Sequence, residues 1–91
     1  MPFQVTGKIL YLRVPTILRI KGYRFFFFSR EGNEPAHIHV EHTDRYAKFW
    51  LSPVRLAESI GFRSSEITEL RKVVQENENL FKEKWNEYFS S

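Results

Sequence analysis

Thr16-Ile17-Leu18-Arg19-Ile20-Lys21-Gly22-Tyr23-Arg24-Phe25-Phe26-Phe27-Phe28-Ser29 is the stretch whose reading decides the fold. Its two β-rich runs, residues 16–20 and 23–29, are separated by Lys21-Gly22. A two-residue link containing Gly between such runs reads as a hairpin turn. In the second run Phe25 and Phe27 lie on one side, Phe26 and Phe28 on the other. A strand apolar on both sides is central in its sheet, or is covered by helices on one face and by a partner on the other.

Downstream, Arg30-Glu31-Gly32-Asn33-Glu34-Pro35 reads as a loop from its Gly, Asn and Pro. Residues 36–41 then alternate, placing Ile38 and Val40 on one face and His37, His39 and Glu41 on the other. His42-Thr43-Asp44-Arg45 makes a polar turn into Tyr46-Ala47-Lys48-Phe49-Trp50-Leu51, so residues 36–51 form a second hairpin. Upstream, Lys8-Ile9-Leu10-Tyr11-Leu12 is compatible with one more strand. Past Trp50 the period changes. Ser52-Pro53 carries an N-cap hydroxyl followed by Pro at the first helical position. Val54, Leu56, Ala57 and Ile60 suit a short helix ended by Gly61. Ser64 then caps a long helix whose apolar line is Ile67, Leu70, Val74, Phe81, Trp85 and Tyr88, with a weak point at Asn77-Glu78-Asn79. The expected fold is α+β: a small antiparallel sheet of two hairpins packed against a short helix and a long C-terminal helix, in a single domain spanning residues 1–91.

Composition supports a core of that size. Of 91 residues, 42% are hydrophobic and 16% aromatic, with nine Phe and two Trp, and each aromatic side chain buries roughly 150–250 Å². The absence of cysteine excludes disulfides and thiolate chemistry. No apolar run approaches the ~20 residues of a membrane span, and no signal-peptide pattern opens the chain; the expected location is the cytoplasm, with no membrane partner. Net charge is +3, carried by the first half: residues 1–51 hold eight Lys/Arg against four acids, residues 52–91 six against seven. That balance permits a polyanionic or acidic partner, but the basic residues are scattered rather than clustered, which favours ordinary solvated charge.

Three features carry candidate chemistry. The first is His37-Ile38-His39-Val40-Glu41. Side chains two apart on a strand share a face at ~6.5–7 Å, so both imidazoles point the same way. They suit two roles: ligands of a divalent metal completed by Glu41 or Glu34, or an acid–base pair across a phosphodiester. In the second role His37 and His39 are the catalytic candidates, and Arg24, Arg45 and Lys48 the phosphate-binding ones. His42 falls on the opposite face from His39 in a regular strand. The plain alternative is two histidines on the polar face of a half-buried strand. The second feature is residues 56–70, where a small residue, Ala57, followed four later by Gly61 matches a helix-turn-helix. Glu66 and Glu69 on the second helix repel phosphate, and an αα-corner packed on the sheet is the plain alternative. The third is the tail Phe81-Lys82-Glu83-Lys84-Trp85-Asn86-Glu87-Tyr88-Phe89. Aromatics at this spacing read as core or, near a chain end, as an interface: Trp85, Tyr88 and Phe89 are the partner-binding candidates, for a second protein or a second copy of the chain.

Taken together, Pro15-Thr16-Ile17-Leu18-Arg19-Ile20, Gly22-Tyr23-Arg24-Phe25-Phe26-Phe27-Phe28-Ser29, Glu34-Pro35-Ala36-His37-Ile38-His39-Val40, Ala47-Lys48-Phe49-Trp50-Leu51, Pro53-Val54-Arg55-Leu56-Ala57, Gly61-Phe62 and Trp85-Asn86-Glu87-Tyr88-Phe89 resemble the small bacterial family called domain of unknown function 4160. The resemblance covers roughly residues 15–89. Residues 1–14 then stand as an N-terminal extension, residues 15–51 as the sheet and 52–89 as the helices. Ala36 stands where the family often has a second proline, which leaves the entry to the His strand less rigid. The resemblance implies a cognate small partner protein similar to the family called domain of unknown function 2442, in pairs that look like toxin–antitoxin modules, with this chain on the toxin side. Because His37 and His39 lie in the motif that carries the resemblance, it also draws attention to them. The expected function is therefore a toxin-like component of such a pair acting on RNA with ribonuclease-like activity. The alternative is a non-enzymatic protein-binding module, as neutralising partner or DNA-binding regulator.

Overall fold

The computed structural model describes residues 15–89. The strand read from residues 8–12 lies outside them. Five strands, β1 (Thr16–Ile20), β2 (Tyr23–Phe26), β3 (His37–His42), β4 (Arg45–Leu51) and β5 (Val54–Ile60), are followed by helices α1 (Ser64–Glu76) and α2 (Glu78–Phe89). The strands form one antiparallel meander in the order β1-β2-β3-β4-β5. The architecture is α+β, and both expected hairpins are present within the sheet. Lys21 and Gly22 both take positive φ, 51° and 85°, as a two-residue turn matched to strand twist requires. The second aromatic run is shorter as a strand than its composition suggests. It leaves the ladder after Phe26, and Phe27 is buried edge-on against Trp85 with ring centroids 5.3 Å apart.

Alternation sorts β3 as expected. Ile38 and Val40 are fully buried on the helix-covered face, together with Phe25, Ala47, Phe49 and Leu51. The helices supply Ile67, Leu70, Val74, Phe81 and Trp85 to the same core, and Phe81 stacks on Phe25 at 5.5 Å. Tyr88, the last residue of the predicted apolar line, is 38% exposed.

Residues 54–60 are a correction. They form strand β5, not a helix, so the helix-turn-helix and the αα-corner read over residues 56–70 do not exist. The Ser52-Pro53 pair that resembles a helix start is a two-residue hairpin turn with a cis peptide bond. It sets Leu51 opposite Val54 and Phe49 opposite Leu56. Pairing with the open edge of β4 satisfies a row of backbone groups that a helix here would leave without ladder partners. Gly61, at φ 86°, ends β5.

Helix α1 then starts one residue earlier than the sequence suggests, with Arg63 rather than Ser64 as N-cap. The Arg63 N–H donates to Glu66 Oε1 at 2.9 Å, and Arg45 Nη1 of β4 donates to Glu66 Oε2 at 2.6 Å. One carboxylate thus caps the helix and ties it to the sheet. The weak point read at residues 77–79 is a true break. The Asn77 side-chain Nδ2 donates to the Val73 carbonyl at 2.8 Å, and its backbone N–H is shared between Val73 and Val74. Such local bonds compete with the regular helical ladder.

Phe81 joins α2 to the sheet. Phe81→Ala is expected to destabilise the protein by about 3–5 kcal/mol through the lost contacts and the cavity left against Phe25. Urea denaturation followed by tryptophan fluorescence measures this, and a loss under about 1 kcal/mol would mean that the α2–sheet contact is not part of the core.

Candidate functional site

The other face of β3 carries His37, His39 and Glu41, and here the structure adds a residue that the strand pattern does not contain. Strand β2 pairs with β3 so that Phe26 faces His39. The loop of residues 27–36 therefore leaves and returns beside the two imidazoles. Within it Glu31 accepts a hydrogen bond from the Phe28 N–H at 3.1 Å, and the Glu34 N–H donates to the Glu31 carbonyl at 3.0 Å. These turns aim the Glu31 carboxylate inward. Its oxygens lie 2.7 and 2.8 Å from His39 Nε2, and Oε1 lies 3.0 Å from His37 Nε2.

Each imidazole is held through its other nitrogen. His37 Nδ1 donates to the Pro35 carbonyl at 2.8 Å, and His39 Nδ1 shares a 2.6 Å hydrogen bond with the Tyr46 hydroxyl. The Pro35 contact fixes the His37 tautomer: Nδ1 bears the proton, and a neutral ring presents a lone pair at Nε2. Glu31 Oε1 approaches to 3.0 Å, yet among the described residues His37 Nε2 is the buried side-chain nitrogen without a hydrogen bond. Aromatic rings wall the cluster. His39 has Phe28 edge-on at 4.5 Å, with Phe26 and Tyr46 stacked at 5.3 and 5.7 Å. His37 has Trp85 at 4.8 Å and Trp50 at 5.6 Å. Both imidazoles are buried, at 0% and 2% exposure, while Glu31 is 14% exposed.

The electrostatics follow from this enclosure. Burial pushes the Glu31 carboxyl up, but the contacts and charges of His37 and His39 outweigh it and hold its pKa down at about 2. Burial, with the charges of Glu58, Glu31 and Glu34, raises the Tyr46 phenol, so it stays protonated as a hydrogen-bonding group.

The remaining candidates from the sequence are placed as follows. Glu41 is turned to Arg24, with Oε2 2.9 Å from Nη1, and the carboxylate set between the imidazoles is Glu31. Glu34 is more distant, 3.7 Å from His37 Nδ1, and pairs with Lys48 Nζ at 2.9 Å. Arg24, Arg45 and Lys48 are each in an ion pair, with Glu41, Glu66 and Glu34. Arg45 also reaches His42 Nδ1 at 2.6 Å. Trp85 and Phe89 pack on each other at 4.2 Å and against Phe27, so they belong mainly to the interior. They also buttress the site: a Cβ at Gly32 would stand 3.0 Å from the Phe89 ring, so α2 presses directly on the loop that bears Glu31.

Sequence reasoning missed Glu31 because nothing in strand periodicity assigns loop side chains. The available signal was topological. A loop joining adjacent strands must fold back over the residues at its ends, and Glu31 lies in its middle. A cleft of about 310 Å³ adjoins the cluster, sharing Trp50 with it and lined also by Pro35, Ala36, Ser52 and Arg55.

For the metal-free chain, the sign of the Glu31 shift sets an acid limit. A carboxyl depressed from 4.5 to about 2 stabilises the fold fully above pH 4.5, and that contribution is lost as pH falls through the 4.5 to 2 window. Glu31→Gln is expected to flatten the stability profile there and to lower stability near neutrality by about 1–3 kcal/mol. Denaturant titrations across this range check it; an unchanged acid slope in the variant would place the acid-sensitive group elsewhere.

Among the described residues, Glu31, His37 and His39 are the trio of His and acidic side chains whose ligand atoms all lie within 4.8 Å of one another, and no helix is long and apolar enough to cross a membrane. No curated protein and no solved structure matches the chain. A family described as Domain of unknown function (DUF4160) matches residues 22–86, from the β1–β2 turn to the last helix, and includes the whole cluster. The chain belongs to that DUF4160 family.

Proposed function

We propose that this protein is the toxin-like member of a bacterial two-protein pair of the toxin–antitoxin type, and that it acts on RNA at the Glu31–His37–His39 centre. The observation that carries this reading is the carboxylate set between two buried imidazole nitrogens. Enclosing titratable groups is costly for a domain of this size, and such clusters concentrate where chemistry is done. The family resemblance, which includes the His37–His39 motif, supports the assignment to a paired module.

The surroundings support an RNA substrate. Trp50 offers a ring for base stacking at the edge of the adjoining cleft, and Lys48 Nζ lies 4.5 Å over that ring. Arg55, exposed and on the cleft wall, supplies positive charge for phosphate. His37 and His39 are the groups for proton transfer at the scissile phosphodiester, and Glu31 stabilises the protonated imidazole. Arg24 and Arg45 bind phosphate in this reading only by exchanging their carboxylate partners.

A second reading, a non-enzymatic protein-binding module, draws on the enclosure itself. With both imidazoles under Glu31 and Phe28, a phosphodiester reaches them only if the loop of residues 27–36 moves. In that reading the cluster is a rigid polar core, and exposed Tyr88 with Ile60, 56% exposed, belongs to the partner surface.

Induced expression in a bacterial host separates the two. The toxin reading expects growth arrest with RNA decay, relieved by Glu31→Gln and by His37→Ala with His39→Ala, and relieved in the wild type by co-expression of the adjacent reading frame. Arrest that survives in folded, soluble variants would remove the catalytic role. A harmless chain that copurifies with the adjacent gene product would favour the binding module.

A further inference from the structure

We propose that Glu31, His37 and His39 form a mononuclear site for a divalent first-row transition metal, bound through His37 Nε2, His39 Nε2 and the Glu31 carboxylate. The proposal concerns the same centre as the functional reading but does not depend on RNA being the substrate. With a metal bound, His37 and His39 are ligands and no longer the proton-transfer groups of that reading.

The tautomer of His37 is the first argument. With its proton on Nδ1, committed to the Pro35 carbonyl, Nε2 of the neutral ring presents a lone pair to Glu31 Oε1 at 3.0 Å. Two acceptors that close need a cation between them.

The missing hydrogen bond is the second argument. A proton shared between Nε2 and Oε1 would need the oxygen near the lone-pair axis of the ring. Yet Nε2 makes no hydrogen bond at this distance. A metal bonded to both at about 2.1 Å, with the donors 3.0 Å apart, puts the oxygen about 45° off that axis. An offset of that size would also deny a ring N–H its hydrogen bond, so the missing bond is consistent with a metal bridge. The offset leaves a buried, unpartnered nitrogen aimed into the site.

Third, the surrounding bonds are those that metal-bound imidazoles use. Histidine ligands are typically oriented through their other ring nitrogen by a carbonyl, a carboxylate or another polar group. Pro35 serves His37 and Tyr46 serves His39. For His39 to bind through Nε2, its ring proton sits on Nδ1, where it is donated to the Tyr46 hydroxyl. Glu31 stays ionised as a ligand. Two imidazoles and one carboxylate are borderline donors. They favour zinc, iron(II), nickel or manganese over calcium and magnesium, which prefer all-oxygen shells. Three protein ligands leave a coordination position for water or substrate.

The test uses the full chain without a polyhistidine tag, dialysed against a chelator. Titration with Zn2+ alone by calorimetry should show one equivalent per chain. Co2+ alone should give the visible absorption of a protein-bound ion with nitrogen and oxygen ligands. Glu31→Gln should abolish stoichiometric uptake while far-ultraviolet circular dichroism shows the fold intact, and Tyr46→Phe should weaken uptake about 10–100-fold. Absence of saturable Zn2+ and Co2+ uptake by the wild type would overturn the site. So would uptake of equal affinity in folded Glu31→Gln. If Glu31→Gln does not fold, the wild-type Co2+ spectrum together with the Tyr46→Phe affinity decides: an unchanged affinity overturns the proposal. Stoichiometric uptake by a chain that neither arrests growth nor degrades RNA upholds the metal site and removes the RNA reading. Growth arrest by a chain that takes up no metal does the reverse.

Discussion

Alternation along β3 is the constraint on which the rest of this structure depends. Six residues, His37–His42, must serve a hydrocarbon core on one face and a polar cluster on the other. A slip of one residue would drive both imidazoles into the helices and turn Ile38 and Val40 outward. Register is held from both sides: β2 sets Phe25 against Val40, and β4 sets Ala47 against Val40 and Phe49 against Ile38. The chemistry of the second face is therefore positioned by the packing of the first.

That second face is not the open polar surface its composition suggests. Aromatic side chains and the loop of residues 27–36 close over the histidines until both are buried. Enclosure of this kind is tolerable only if nearly every polar atom is matched. Pro35, Tyr46 and Glu31 match three of the four ring nitrogens. The fourth, His37 Nε2, gives the site its interest, because a domain that satisfies the others has left this nitrogen facing a carboxylate without a hydrogen bond. The C-terminal aromatics contribute to the same enclosure. Trp85 lies on His37 and Phe89 on Gly32, so the last helix clamps the loop that carries Glu31. Fold stability and site geometry are thus linked through α2.

Residues 54–60 illustrate why local reading failed where it did. Val54, Leu56, Ala57 and Ile60 satisfy a helical spacing, and Arg55, Leu56, Ala57 and Glu58 are good helix formers. Ser-Pro opens helices and tight turns alike. What decided the outcome was β4, whose free edge could be completed only by a neighbouring strand, an influence no local window contains. By contrast, the break at Asn77 was legible, since its cause is a side chain bonding to its own helix.

The sequence by itself determined the elements whose cause is local. These are the Lys21-Gly22 hairpin, the two-faced β3, the second hairpin through Leu51, and the buried helical line from Ile67 to Trp85. Each follows from periodicity or turn chemistry within a few residues. It also singled out His37 and His39 as a pair on one face. Only the tertiary structure decided that β5 is a strand, that Glu41 belongs to Arg24, and that Glu31 stands between the imidazoles. Those outcomes depend on which strand edges meet and where a loop folds back. Such contacts join residues that no repeat or spacing connects, and only the closed chain brings them together.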